Sequence, residues 1–126
     1  MVEVVAGILI KEGKVLIARR AAHKSMPGKW EFPGGKIEAH ESPEAALERE
    51  LFEEFGVRTQ TGRYIGTSTH QSRHFHIKLL AYASVWLSGD FMLTDHDQIA
   101  WVGLAELPNY DLGEADVAII RQIRFE

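Results

Sequence analysis

Three carboxylates stand at i, i+3 and i+4 in one short stretch, Glu50, Glu53 and Glu54, inside ALERELFEEFGV. On a helix that spacing turns them toward one face, where like charges repel by about 0.2–0.5 kcal/mol per pair. Local stability therefore does not account for them. A hard divalent cation does: Mg²⁺ or Mn²⁺ takes oxygen ligands, and the oxygens of a bound phosphate chain complete the shell. The competing account is a solvated acidic face, the ordinary reading of a Glu-rich helix. Neighbouring residues at fixed spacing decide between the two.

Those neighbours belong to the element that must hold the acids. Ser42-Pro43 predicts a helix start, with a hydroxyl at the N-cap and proline at the first helical position. Ala45, Ala46, Leu47 and Leu51 favour the helix, and Gly56 is placed to end it in the left-handed conformation. Leu47, Leu51 and Phe55 form an apolar stripe with Phe52 on its flank, so this side should face the core and the acids another direction. Ahead of the helix, Trp30-Glu31-Phe32-Pro33-Gly34-Gly35 reads as a short strand running into two glycines, where backbone can approach a ligand closely.

The segment from Gly35 to Val57, GKIEAHESPEAALERELFEEFGV, resembles the signature box of the Nudix hydrolases. Gly35, Glu41, Arg49, Glu50, Leu51, Glu53, Glu54, Gly56 and Val57 match it without a departure. Within that family the chain is most similar to the MutT-type nucleotide pyrophosphohydrolases. The resemblance implies an α/β/α sandwich and Mg²⁺-dependent cleavage of a nucleoside triphosphate to monophosphate and pyrophosphate, with Mn²⁺ as a substitute ion. It implies Glu50, Glu53 and Glu54 as metal ligands, with the Gly34 carbonyl; any of the three acids could take the water's proton, and the resemblance puts Glu50 first. Glu41 would help through water or a second metal. Arg49 is read as orienting a carboxylate, not touching substrate.

Further candidates lie outside the box. MutT-type chains place a Glu six residues before a Trp that ends a late strand; here Asp95 precedes Trp101, and Asp95, Asp97 or neither reaches the metal. Arg19 and Arg20 end the second strand, where such enzymes bring an Arg to the nucleotide, and one of the two is expected to act. Asp116 stands where relatives that prefer oxidised guanine carry Asn. An ionised Asp only accepts hydrogen bonds, which suits a base edge offering an amino group, on cytosine or guanine. The competing account of Asp116 is a helix-start acid complementing the dipole. Phe32, Phe75 and Trp30 are stacking candidates for which core packing is the alternative. His74 and His76 alternate on one strand, but oxygen ligands already suit a hard ion.

Composition bounds the rest. A chain of 126 residues with 45% apolar and 25% charged content is read as a single domain, 1–126, able to bury a core. Cysteine is absent, which excludes disulfides, zinc-thiolate sites and thiol nucleophiles. The net charge of −4 argues against a nucleic-acid polymer as partner, since that affinity needs clustered Lys and Arg. No apolar run reaches membrane-spanning length and Met1-Val2-Glu3 has no basic stretch ahead of a hydrophobic one, so no membrane partner and a cytoplasmic location are expected. A monomer and a homodimer are both compatible.

Along the chain, 2–11 reads as a strand buried on both faces, 14–20 as the return strand of a hairpin around Glu12-Gly13, and 21–29 as a loop. Strands are expected over 57–69, about 75–87, and 99–102, then a loop over 108–113. A closing helix is predicted over 114–125, with Val117, Ile120 and Ile123 inward and Ile119 beside them. Strands, one central helix, more strands and a closing helix make the class α+β, a mixed β-sheet flanked by helices. Three functional readings follow: the triphosphate hydrolase, the same chemistry on a nucleotide sugar, ADP-ribose or dinucleoside polyphosphate, and a non-catalytic nucleotide sensor.

Overall fold

The apolar runs assemble around β1 (Val2–Lys11), the strand with alternate residues buried on both sides. The structure, a computed structural model, describes residues 1–71 and 73–124. At its end β1 turns through Glu12 and Gly13, both at positive φ (52° and 77°), the geometry of a two-residue hairpin turn, into antiparallel β2 (Lys14–Arg20). Its other edge pairs in parallel with β6 (His76–Ser88), from Val2 opposite Ile77 to Leu9 opposite Ser84. That pair makes the sheet mixed; β5 (Arg58–Gln71) runs antiparallel to β6. On the far side β2 pairs antiparallel with β3 (Trp30–Glu31) and β7 (His96–Val102). The short β4 (Gly34–Lys36) lies antiparallel against residues 4–6 of β1.

Each face of this sheet is covered. Val5, Leu9, Leu16 and Ala18 meet Ala46, Leu47, Leu51 and Phe55 of α1 (Pro43–Phe55). The helix comes so near β1 that a Cβ on Gly7 would lie 3.1 Å from Leu47 Cδ1. On the opposite face Ala6, Ile8, Val15 and Ile17 pack with Trp30, Phe32, Leu107, Leu112, Ile119 and Ile123, beneath α2 (Glu114–Ile120). The result is the predicted α+β layering, helix on sheet on helix.

Three local expectations are corrected. The closing helix stops at Ile120, and Phe125 lies outside the described residues. Gln122 N–H bonds Ile119 O and Ile123 N–H bonds Ile120 O, so the chain tightens into i→i+3 turns. Ile119 and Ile123 are buried inward with Ala115 and Ile120 packed beside them, as expected for Ile120 and Ile123; Val117, two residues and roughly 200° round from Ile119, is 48% exposed. Residues 104–109 form a 3₁₀ turn that buries Leu107, and the strand expected over 99–102 begins at His96.

Candidate active site

The acidic helix is capped as its sequence requires. Ser42 Oγ accepts from Ala45 N–H at 3.1 Å, and Gly56 closes the helix at φ 71° with its N–H on Phe52 O. Because Leu47, Leu51 and Phe55 are fixed inward, Glu50 and Glu54, each one residue earlier, turn toward β1 and β4. Glu53 turns outward. The Glu50 carboxylate lies directly on Gly35: a Cβ there would sit 2.3 Å from Glu50 Cδ. Gly34 admits no side chain either, since its Cβ would fall 1.9 Å from Val5 O.

Arg49 is the hub of the acids. Its Nε and Nη2 grip Glu41 at 2.7 and 2.9 Å, a bidentate pair, while Nη1 reaches Glu50 Oε1 at 3.0 Å and Glu53 Oε1 at 3.1 Å. Nη2 also donates to the Lys36 carbonyl, tying the helix to β4. The Arg49 hydrogen bonds hold the Glu41 carboxyl down at about 2, and the Glu41 bond raises the guanidinium further. Burial pushes Glu50 up against the pull of Arg49. Glu54 is pushed up to about 8, first by burial and then by the charges of Glu50, Glu31 and Asp95. Its Oε2 is buried without a hydrogen-bond partner.

The three carboxylates thus do not converge as the helical spacing suggested. Among the described residues no group of three or more acids or histidines is gathered at metal-ligand geometry. The physical reason is competition: Arg49 draws Glu50 and Glu53 to itself, and Glu54 turns into a cavity. The residues nevertheless fit a hard cation. The donors are all oxygen, Glu54 Oε2 is orphaned, and Glu53, with its side chain 58% exposed, is held by Arg49 through one oxygen only.

Glu54 and Gly34 line one end of a cavity of about 440 Å³. Phe32, Trp30, Leu79, Ala115 and Asp116 also line it, together with Arg20, Lys36 and the exposed Phe75. Phe75 leans on His70 at the rim, with 6.1 Å between ring centroids, whereas Phe32 and Trp30 belong to the core and the cavity wall at once. Arg20 and Arg19 part company: Arg20 lines the cavity, while Arg19 binds Asp97 at 2.7 Å and lies over the Trp30 ring. Asp95 sits near Glu54, held by Lys24 at 3.6 Å, but is not in the cavity wall, and Asp97 faces away. Neither His74 nor His76 lines the cavity.

Asp116 accepts from Phe32 N–H at 3.4 Å. Burial, and then the Glu31 charge, push its carboxyl up to about 8. That shift favours the neutral acid, which donates and accepts as Asn does, over the ionised, acceptor-only Asp expected from the sequence. Sequence reasoning also passed over Glu31 and His96. Glu31, in the cavity wall, takes His96 Nε2 at 2.7 Å and Arg20 Nη1 at 3.4 Å. The available signal was a lone acid between two aromatics, Trp30-Glu31-Phe32.

A family model for the NUDIX domain matches residues 1–123. The chain belongs to the Nudix family. Among its relatives, the CTP pyrophosphohydrolase of Escherichia coli (strain K12) is 36% identical over 120 residues, covering 95% of this chain and 89% of the relative. The 8-oxo-dGTP diphosphatase of Escherichia coli (strain K12) is 32% identical over 123 residues, 97% of this chain and 95% of the relative. The crystal structure of a MutT NUDIX hydrolase from Burkholderia pseudomallei superposes with a TM-score of 0.86 over 98% of both chains; at 23% identity that likeness speaks for the fold. This Nudix chain is of the MutT type, a hydrolase acting on acid anhydrides. No helix among its described residues is long and apolar enough to cross a membrane.

Proposed function

We propose that the chain hydrolyses a nucleoside triphosphate to the monophosphate and pyrophosphate, with Mg²⁺, or Mn²⁺ in its place, at the acidic end of the cavity. The observation that carries this reading is continuity: one cleft is lined by both the orphaned Glu54 carboxylate and the half-buried Asp116, together with apolar and aromatic side chains. A phosphate chain belongs at Glu54 and a base at Asp116.

Glu50, Glu53, Glu54 and the Gly34 carbonyl would hold the ion, which supplies positive charge on the phosphate oxygens and lowers the cost of ionising water. Arg49 orients the acids, leaving Glu41 as its anchor. Glu50 Oε1 is occupied by Arg49, so Glu50 Oε2 is the atom that takes the proton of the attacking water. Arg20 neutralises charge at the cavity mouth, Phe32 and Phe75 flank the base, and Asp95 lies close enough to Glu54 to act through water.

A neutral Asp116 presents one donor and one acceptor. Cytosine (N3 acceptor, N4 amino donor) and guanine, oxidised or not (O6 acceptor, N1 donor), both match that pair. The names of the two relatives, one acting on CTP and one on 8-oxo-dGTP, support the same two bases. Pyrophosphate release is to be measured from CTP, dCTP, dGTP and 8-oxo-dGTP with Mg²⁺ and with Mn²⁺, beside a nucleotide sugar, ADP-ribose and a dinucleoside polyphosphate. A cytidine or guanine triphosphate should lead by at least about tenfold in kcat/KM. Preference for any of the last three rejects the proposal.

A further inference from the structure

A second carboxylate shares the cavity floor with Asp116, and it is held from behind. Glu31 Oε2 accepts from His96 Nε2 at 2.7 Å, and both Glu31 oxygens lie 3.4 Å from Arg20 Nη1. His96 is 3% exposed, and its ring stacks on Phe55 with centroids 5.2 Å apart and 20° between the planes. Its Nδ1 is buried without a partner. Packing alone would be served as well by phenylalanine, without a stranded ring nitrogen. The hydrogen bond to Glu31 is what the imidazole adds.

The backbone is bent to deliver that bond. Strands β2 and β7 keep regular register from Val15 opposite Val102 to Arg19 opposite Gln98, and then Arg20 pairs with His96. Asp97 is the extra residue of a β-bulge, and it goes to the opposite face, onto Arg19 at 2.7 Å. In unbroken register Asp97 would lie opposite Arg20; the bulge brings His96 there instead, beneath α1 and behind Glu31. Bulges beside active sites re-aim side chains in this way.

We infer that His96 is a positioning residue for nucleotide binding: with Arg20 it locks the Glu31 carboxylate on the cavity floor beside Asp116. The nucleotide then meets two fixed carboxyl groups and orders neither on binding. The inference rests on the nucleotide reading of the cavity. Arg20 joins the same device to the loop over 21–29, since its Nε and Nη2 also bind Ser25 O and Oγ at 2.5 and 2.9 Å.

The test separates packing from positioning. His96→Phe keeps the ring on Phe55 and removes the donor; His96→Gln restores a donor; Glu31→Gln and the double variant His96→Phe/Glu31→Gln complete a cycle. Two readouts are taken: KM and kcat on the best triphosphate, and affinity for CMP and dGMP without metal, followed by tryptophan fluorescence. His96→Phe should raise KM and the monophosphate Kd about tenfold while kcat changes less than about threefold. His96→Gln should recover most of the loss, and the double variant should be no weaker than Glu31→Gln alone. Unchanged monophosphate binding by His96→Phe, additive losses, or a wild type that binds neither monophosphate overturns the inference. Should His96→Phe fail to fold, Glu31→Ala, at a partly exposed position, tests the condition the inference requires: the same Kd should rise about tenfold, and an unchanged Kd overturns it. A wild type that binds monophosphates but releases no pyrophosphate defeats the proposed function and leaves this inference to the titration.

Discussion

Replacing Asp116 by asparagine should stabilise the protein, and the gain should depend on pH as a desolvated acid requires. Asparagine has the same shape and keeps an oxygen for the Phe32 N–H. Below its ordinary value of 3.8 the Asp116 carboxyl is protonated both folded and unfolded, so it adds no pH dependence there. Above 3.8 the unfolded chain releases the proton while the folded chain retains it up to about 8. The unfolded state therefore binds fewer protons, and stability falls as pH rises across that window. A gap of roughly four units sets a ceiling on the order of 5 kcal/mol at about 1.36 kcal/mol per unit. Asp116 faces a cavity that admits water, so the working expectation is about 2 kcal/mol in favour of Asp116→Asn at pH 8 and close to zero at pH 4. Urea unfolding of the two metal-free proteins at pH 4, 6 and 8, followed by tryptophan fluorescence, measures it. A difference that does not vary with pH, or a variant less stable at pH 8, refutes the reasoning. In turnover, wild-type kcat/KM should decline above about pH 8 as the donor is lost, and Asp116→Asn should not follow.

Three further outcomes follow from the acidic helix. Gly35→Ala places a methyl in the space of the Glu50 carboxylate and should cut turnover about a hundredfold while the thermal midpoint stays close to wild type; full activity would mean that Glu50 is not where the chemistry needs it. Glu54→Gln replaces a buried acid by a neutral amide, so without metal it should unfold no earlier than wild type. The rise in Tm that millimolar Mg²⁺ gives the wild type should vanish in this variant, as differential scanning fluorimetry with and without EDTA would reveal. Arg49→Lys cannot bridge Glu41, Glu50 and Glu53 together and should lower kcat at least about tenfold, with KM little changed in steady-state assays; a KM effect alone would place Arg49 on the substrate instead.

What could be read from the sequence divides by how local its cause is. The helix over 43–55 was legible because its determinants touch neighbours in the chain: the Ser42 cap, Pro43, the Leu47–Leu51–Phe55 stripe and the left-handed Gly56. The burial of β1 on both faces was legible for the same reason, as an apolar run without alternation. The fate of the carboxylates was not. Their i, i+3, i+4 spacing fixes the directions of Cβ, but Glu side chains are long, and Arg49 with Glu41 offers Glu50 and Glu53 a partner that the spacing does not weigh. The protonation of Asp116 was not legible because it is a property of surroundings: the residues that shift it, Phe32 and Glu31 among them, lie more than eighty positions away. His96 was invisible for a stricter reason. Whether residue 96 or 97 meets Arg20 depends on a bulge, and the bulge satisfies two strands at once, giving Arg19 a carboxylate on one face and Glu31 a donor on the other. Read alone, Asp95-His96-Asp97 is a polar loop. Only against β2 does the order of its residues acquire meaning, with one acid near Glu54, one imidazole behind the cavity floor and one acid turned away from the site.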